Sequence, residues 1–206
     1  YGWRGAKWNP HRWDPARYPD LAAMFAQADA LGFHVGLHNN YGTPEADKGN
    51  FTDPSTADKW WQAHLNPVIA PGYGDWFWPD EFDVVGDNLM ANRSAKVVHE
   101  KWLEYTTQQR PVFITREGYA GQHYACAWSG DIENTISEMN KQIVNQQAVG
   151  LSGYPWFSHD LGGFKAKPSD NLYIRWVAEF GSFCSIMRAH GHDGREPWLY
   201  SANAQG

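Results

Sequence analysis

Apolar residues recur along this chain in two alternating rhythms. In PDLAAMFAQADALGF, Leu21, Met24, Phe25, Ala28 and Leu31 fall at helical spacing, opened by Pro19 and Asp20 and stopped by Gly32. FHVGLHNNY follows as a short apolar run with a polar end, the pattern of a buried strand feeding a loop. The alternation then repeats. STADKWWQAHLNPVI predicts a helix and DWFWPD a strand. NRSAKVVHEKWLEYTTQ predicts a helix, with RPVFITRE and HYACAWSGD as the next strands. IENTISEMNKQIVNQQAVG predicts a helix with Ile136, Met139, Ile143 and Val144 on one face. LSGYPWFSHD reads as a strand, NLYIRWVAEFGSF as a helix and CSIMRAH as a last short apolar strand.

Helices that alternate with short, nearly continuous apolar strands predict a parallel sheet covered on both faces, an α/β fold. Each strand ends in polar residues: His38-Asn39-Asn40, Asp80-Glu81, Arg116-Glu117, Asp131, His159-Asp160 and His190. In a (β/α)8 TIM barrel all such ends meet at one rim, where the site is built. A doubly wound open sheet would carry a glycine-rich phosphate loop after an early strand, and the sequence has none. Six strands are two short of a closed barrel. The chain also opens on YGWRGAKWNP, without an initiator Met or a signal-peptide pattern. The expectation is therefore a partial barrel lacking its first two strands. Residues 1–206 would form one catalytic barrel domain, a fragment of a larger chain.

Composition narrows the partners. The net charge is −6 with no basic run, which argues against nucleic acid and anionic membrane surfaces. No stretch of 18 apolar residues is present to span a bilayer. The aromatic content, 12 Trp, 10 Tyr and 10 Phe, exceeds an ordinary core's needs and suits a carbohydrate partner, whose sugars are apolar on one side and hydroxylated on the other. A core rich in large residues is the competing explanation. Cys126 and Cys184 lie in apolar runs and read as small buried hydrophobes. Asn50 and Asn92 fit the glycosylation sequon. HGHD at His190 to Asp193 lacks the spaced ligand set of a zinc site, so no metal is expected. No nucleotide-binding loop or cofactor lysine motif appears, so no cofactor is expected either.

Two aspartates follow aromatic, strand-like sequence: Asp80 in WFWPD and Asp131 in WSGD. Retaining glycoside hydrolysis needs two carboxyl groups about 5–5.5 Å apart, one as nucleophile and one as acid/base. The acid/base must stay protonated at rest, which an aromatic, partly dry setting favours. A strand-end aspartate is also a common helix N-cap, and the residues alone leave both roles open.

The strings WFWPDEFD, TREGYAGQHYACAWSGD, GLSGYPWFSHDLGGF and LYIRWVAEFGSFCSIMRAHGHDGREPW resemble, in order, glycoside hydrolase family 31, the α-glucosidases, α-xylosidases and related transglycosidases. The opening stretch is similar to the region between the second and third barrel strands of some bacterial members. The resemblance covers about Gly2 to Trp198. It implies that Asp80 is the nucleophile and Asp131 the acid/base. It implies that Arg116, Asp160 and His190 hold hydroxyls of the sugar in the −1 subsite. Trp78 and Trp128, with Trp156 and Phe164 alongside, would form an aromatic wall, with barrel packing as the alternative for each.

The implied activity is retaining hydrolysis of terminal α-linked sugars, α-glucosides first, by double displacement. A transglycosidase using the same residues and a non-catalytic sugar-binding homologue are the alternatives. The chain departs from the family pattern after Asp80, where Glu81, Phe82 and Asp83 replace a Met-Asn-Glu-like run, and Pro79 precedes it in the strand.

Overall fold

Asp20 starts the first helix, α1 (Leu21–Ala30), by accepting the N–H of Ala23 at 2.9 Å. Gly32, at φ +75°, ends it. The computed structural model describes residues 13–40, 51–64, 68–80, 88–116, 123–180 and 184–205. The chain divides into two compact units, Tyr1–Tyr119 and Ala120–Gly206.

In the first unit β1 (Gly36–Asn40), α2 (Pro54–His64), β2 (Trp76–Asp80), α3 (Asn88–Tyr105) and β3 (Ile114–Thr115) follow α1. β1 and β2 are parallel, with Gly36 opposite Trp76, His38 opposite Trp78 and Asn40 opposite Asp80. A single parallel bridge, Phe77 to Phe113, joins β2 to the segment that becomes β3. Parallel neighbours with a helix between them are the expected βα units.

Side chains alternate across a strand, and β2 uses both faces. Phe77 meets Trp60 of α2 and Trp102 of α3 edge-on at 6.0 and 5.9 Å and stacks on Phe113 at 6.2 Å. Trp61 meets Trp102 at 6.5 Å. Edge-to-face pairs contribute about 0.5–1.5 kcal/mol each beyond burial. Much of the aromatic excess is thus packing between strands and helices. Trp76 lies over the backbone of Gly36, where a Cβ would come within 2.0 Å of the indole, so β1 needs glycine there. Pro79 is tolerated because the neighbouring ladder is so short. The Phe77 N–H reaches Val112 C=O at 3.4 Å, and among the described residues the pairing on that side is the one bridge at Phe77. The missing proline donor falls beyond it.

In the second unit β4 (Cys126–Trp128) pairs in parallel with β5 (Phe157–Ser158) across α4 (Ile136–Leu151). After β5 come α5 (Asp170–Ile174), a π-helical turn (Arg175–Phe180), a 3-10 turn (Pro197–Leu199) and α6 (Ala202–Gln205). Thr135 caps α4 by accepting the Glu138 N–H at 3.1 Å, and Ser169 caps α5 through Leu172 N–H. Ile132, Met139, Leu161, Leu172 and Trp176 form the core, with Val177 and Cys184 against it.

Several expectations change. CSIMRAH forms a single bridge, Asp160 to Arg188, instead of a strand. RPVFITRE contributes only two strand residues. On α4 the buried positions are Met139 and Gln142, whereas Ile136 and Val144 are 50% and 63% exposed. Gln142 is buried with its Nε2 donating to Glu138 Oε1 at 2.7 Å, which satisfies one end of its amide. Cys126 and Cys184 are half-buried. Of the two sequons, Asn50 lies outside the described residues, and Asn92 sits in α3 with its partner Ser94 buried. Among the described residues no helix is long and apolar enough to cross a membrane, and no group of three or more His, Cys, Asp or Glu could hold a metal ion.

Candidate active site

Asp80 is the last residue of β2, and Arg116 directly follows β3. The two meet because adjacent parallel strands deliver their C-terminal ends to the same side. Arg116 Nε donates to Asp80 Oδ1 at 2.7 Å, and Nη2 stands 2.7 Å from the same oxygen. The other oxygen, Oδ2, lies 2.8 Å from His38 Nε2. His38 reaches it diagonally: its register partner is Trp78, two residues before Asp80 on the same face. Trp78 is half-buried and closes edge-on against the His38 ring at 4.6 Å. Glu81, Asp83 and Glu117 lie outside the described residues.

This setting fixes the charge of Asp80. Burial alone would raise its carboxyl pKa. The hydrogen bond from His38 and the charge of Arg116 outweigh that, and the group sits below the ordinary aspartate value. The result is an ionised, oriented carboxylate in a nearly dry place, with both oxygens held.

The second unit positions the other candidates. Gly130, at φ +74°, turns the chain after β4, and Asp131 emerges exposed. The segment behind it is fastened by Phe164 N–H to Ile132 C=O at 2.8 Å, and His192 N–H in turn binds Phe164 C=O at 2.8 Å. Gly163, at φ +81°, allows this closeness: a Cβ there would stand 2.5 Å from Asn134 Cα and 2.6 Å from Glu133 O. The buried Arg195 locks the same loop, donating to the carbonyls of Gly163, Phe164 and Ala166. Phe164 packs on His190 with ring centroids 5.4 Å apart. Asp131, Phe164 and His190 therefore belong to one fastened set of loops.

Asp160 follows β5, is fully buried, and pairs with Arg188 Nη1 at 3.1 Å. The Arg188 guanidinium lies 4.9 Å from the Trp128 ring centre, so one face of that buried ring is occupied by a cation. Trp156 stands at the N-terminal end of β5 and is 59% exposed, so the strand does not bring it to the end that carries Asp160. His159 turns from Asp160 into the core, 6.1 Å from Trp176 and 3.2 Å from Cys184 Sγ. Burial pushes His159 down to about 4 and the Cys184 thiol up to about 11. At neutral pH this is an uncharged pair, not an activated nucleophile.

Two pairings in these clusters are not visible in the strand-end residues of the sequence. Arg188 is hidden inside an apolar-looking run. His38 stands in a polar strand end, but its partner cannot be read from spacing.

The sequence model of the glycosyl hydrolases family 31 TIM-barrel domain matches residues 40–206. An α-xylosidase of Emericella nidulans is 30% identical across 94% of this chain and 31% of its own length. Neutral α-glucosidase AB of Sus scrofa is 30% identical across 66% of this chain and 14% of its own length. The chain thus spans less than a third of these curated relatives. Among solved structures, a GH31 α-xylosidase from a soil metagenome, complexed with xylose, superposes with a TM-score of 0.84 at 20% identity, over 99% of this chain and 41% of the other. A family 31 α-glucosidase from Bacteroides thetaiotaomicron gives 0.81 at 20% identity, over 95% and 41%. These likenesses show the TIM-barrel fold.

Proposed function

The chain belongs to glycoside hydrolase family 31, and from that premise we propose that the protein is a retaining α-glycosidase acting on terminal α-linked sugars, α-glucosides first. Residues 1–206 are read as part of its catalytic barrel domain. The carrying observation is Asp80: a buried carboxylate at the C-terminal end of β2, held ionised by Arg116 and His38.

In this reading an Asp80 oxygen attacks the anomeric carbon as the bond to the leaving oxygen breaks, and Asp131 gives that oxygen its proton. Asp131 then takes a proton from water, which displaces Asp80 and releases the sugar with its configuration retained. Asp131 is exposed in this structure, in place of the aromatic, partly dry setting expected for the acid/base. His190 binds hydroxyls of the sugar, while Asp160, implied to do the same, is fully buried beside Arg188 and supports the site from beneath. Of the four aromatics, Trp78 and Phe164 suit contact with a sugar best. Trp78 lies beside His38, and Phe164 lies beside His190.

A panel of aryl α-glycosides (glucoside, xyloside, galactoside, N-acetylgalactosaminide) tests the proposal in the full-length protein, beside Asp80→Asn and Asp131→Asn. Release from one of them, lost in both variants, supports it. Sugar binding without release from any would move the protein to the binding homologues.

A further inference from the structure

We propose that His38 is a positioning residue for Asp80: its Nε2–H holds Oδ2 while the carboxylate forms and then breaks the glycosyl ester. The proposal rests on the reading of Asp80 as nucleophile.

The geometry is specific. Two nitrogens of Arg116, Nε and Nη2, stand 2.7 Å from Oδ1, while Oδ2 lies 2.8 Å from His38 Nε2. One donor group on one oxygen would let the carboxylate rotate about Cβ–Cγ. Donors on both oxygens fix that rotation, and with it the direction of the remaining lone pairs. Both side chains of the His38–Asp80 pair are about 4% exposed, so water cannot readily substitute for the imidazole. Trp78, edge-on at 4.6 Å, keeps the ring in place. A histidine inside a strand, buried and aimed at a carboxylate, is costly unless that contact matters.

The contact also acts unequally on the two chemical steps. In the free enzyme Asp80 carries a full negative charge shared over both oxygens. Ester formation uses that charge to make the bond to the anomeric carbon, and both donors then face a weaker acceptor. When water attacks, the bond between the anomeric carbon and Asp80 breaks and the electron pair returns to the carboxylate. The His38 hydrogen bond strengthens as that happens, so it stabilises the second transition state relative to the ester. Its loss slows breakdown of the ester more than formation.

Two variants of matched polarity but different reach test this in the full-length protein. His38→Gln places an amide N–H near the position of Nε2. His38→Asn is too short to reach Oδ2. With a chromogenic aryl α-glycoside, His38→Asn is expected to lower kcat by about 10- to 100-fold, the loss of a charge-assisted hydrogen bond. KM should fall with it, and a pre-steady-state burst of close to one equivalent of aryl alcohol should appear. His38→Gln should recover most of kcat. If the two variants behave alike, or if His38→Asn loses kcat with no burst and no fall in KM, His38 is merely structural and the proposal fails. Asp80→Asn, run in parallel, separates this from the underlying reading: activity retained there would remove Asp80 as nucleophile whatever His38 does.

Discussion

Arg188 stands 3.1 Å from the carboxylate of Asp160 and 4.9 Å from the ring centre of Trp128, so one guanidinium serves a buried anion and an aromatic face at once. Asp160 is fully buried, so this pairing helps to hold its charge in place. Arg188→Leu should destabilise the protein by about 3–5 kcal/mol, because it removes the cation beside a buried carboxylate. Urea denaturation checks this. Combining it with Asp160→Leu should recover a large part of the loss while activity stays absent. Failure of the second change to restore stability would show that packing on Trp128, not the ion pair, is what Arg188 supplies.

The loop beside Asp131 depends on a glycine. Gly163→Ala would place a methyl against the backbone of Asn134 and Glu133 at a φ of +81°. The expected cost is about 2–4 kcal/mol. Because Phe164 and Ile132 are fastened through this loop, activity should fall by more than the unfolded fraction explains. Thermal unfolding and specific activity of the folded protein measure the two effects separately.

His159 makes stability depend on pH. Its folded pKa, about 4, lies below the ordinary histidine value of 6.5. Between those values the unfolded chain binds the proton and the folded protein does not. The contribution is fully present above pH 6.5 and is lost as pH falls towards 4, a change of about 3 kcal/mol. His159→Gln should flatten the denaturation midpoint over that window relative to the parent. An unchanged slope would mean that His159 is hydrated in the folded state.

Arg116 should set the acid limb of the activity profile. Its charge helps hold the Asp80 carboxyl low, so Arg116→Leu should raise the Asp80 pKa and move the acidic limb of kcat/KM to higher pH. Arg116→Lys keeps the charge but not the fork, and should move the limb less while still lowering kcat/KM by about 10- to 100-fold. A limb that stays in place in Arg116→Leu would show that another group controls it.

The places where sequence succeeded and failed share a physical logic. The placement of Asp80 at a strand end is legible because a polar residue closing a short apolar strand has few places to point in a parallel βα fold. The placement of Arg116 just after β3 is legible for the same reason. Trp128 and Trp156 were harder: an aromatic in a strand reads equally as wall or packing, and only the structure shows Arg188 across one ring and the other at the far end of β5. Ile136 and Val144 show the limit of periodicity, which marks a helix face without saying what covers it. Arg188 is not legible because a single cation in CSIMRAH looks like an exposed interruption, and its partner lies 28 positions earlier in sequence at Asp160. The same long separation hid the pairing of His38 with Asp80.

The most direct test of the central claim is covalent trapping. The full-length protein is incubated with a 5-fluoro-α-glycosyl fluoride, which forms the ester and slows its hydrolysis, and peptides are mapped by mass spectrometry. One sugar per chain, attached to Asp80 and absent from Asp80→Asn, is the predicted result. A label on another carboxylate such as Glu81 or Asp83, or turnover without any trapped ester, would contradict Asp80 as the nucleophile.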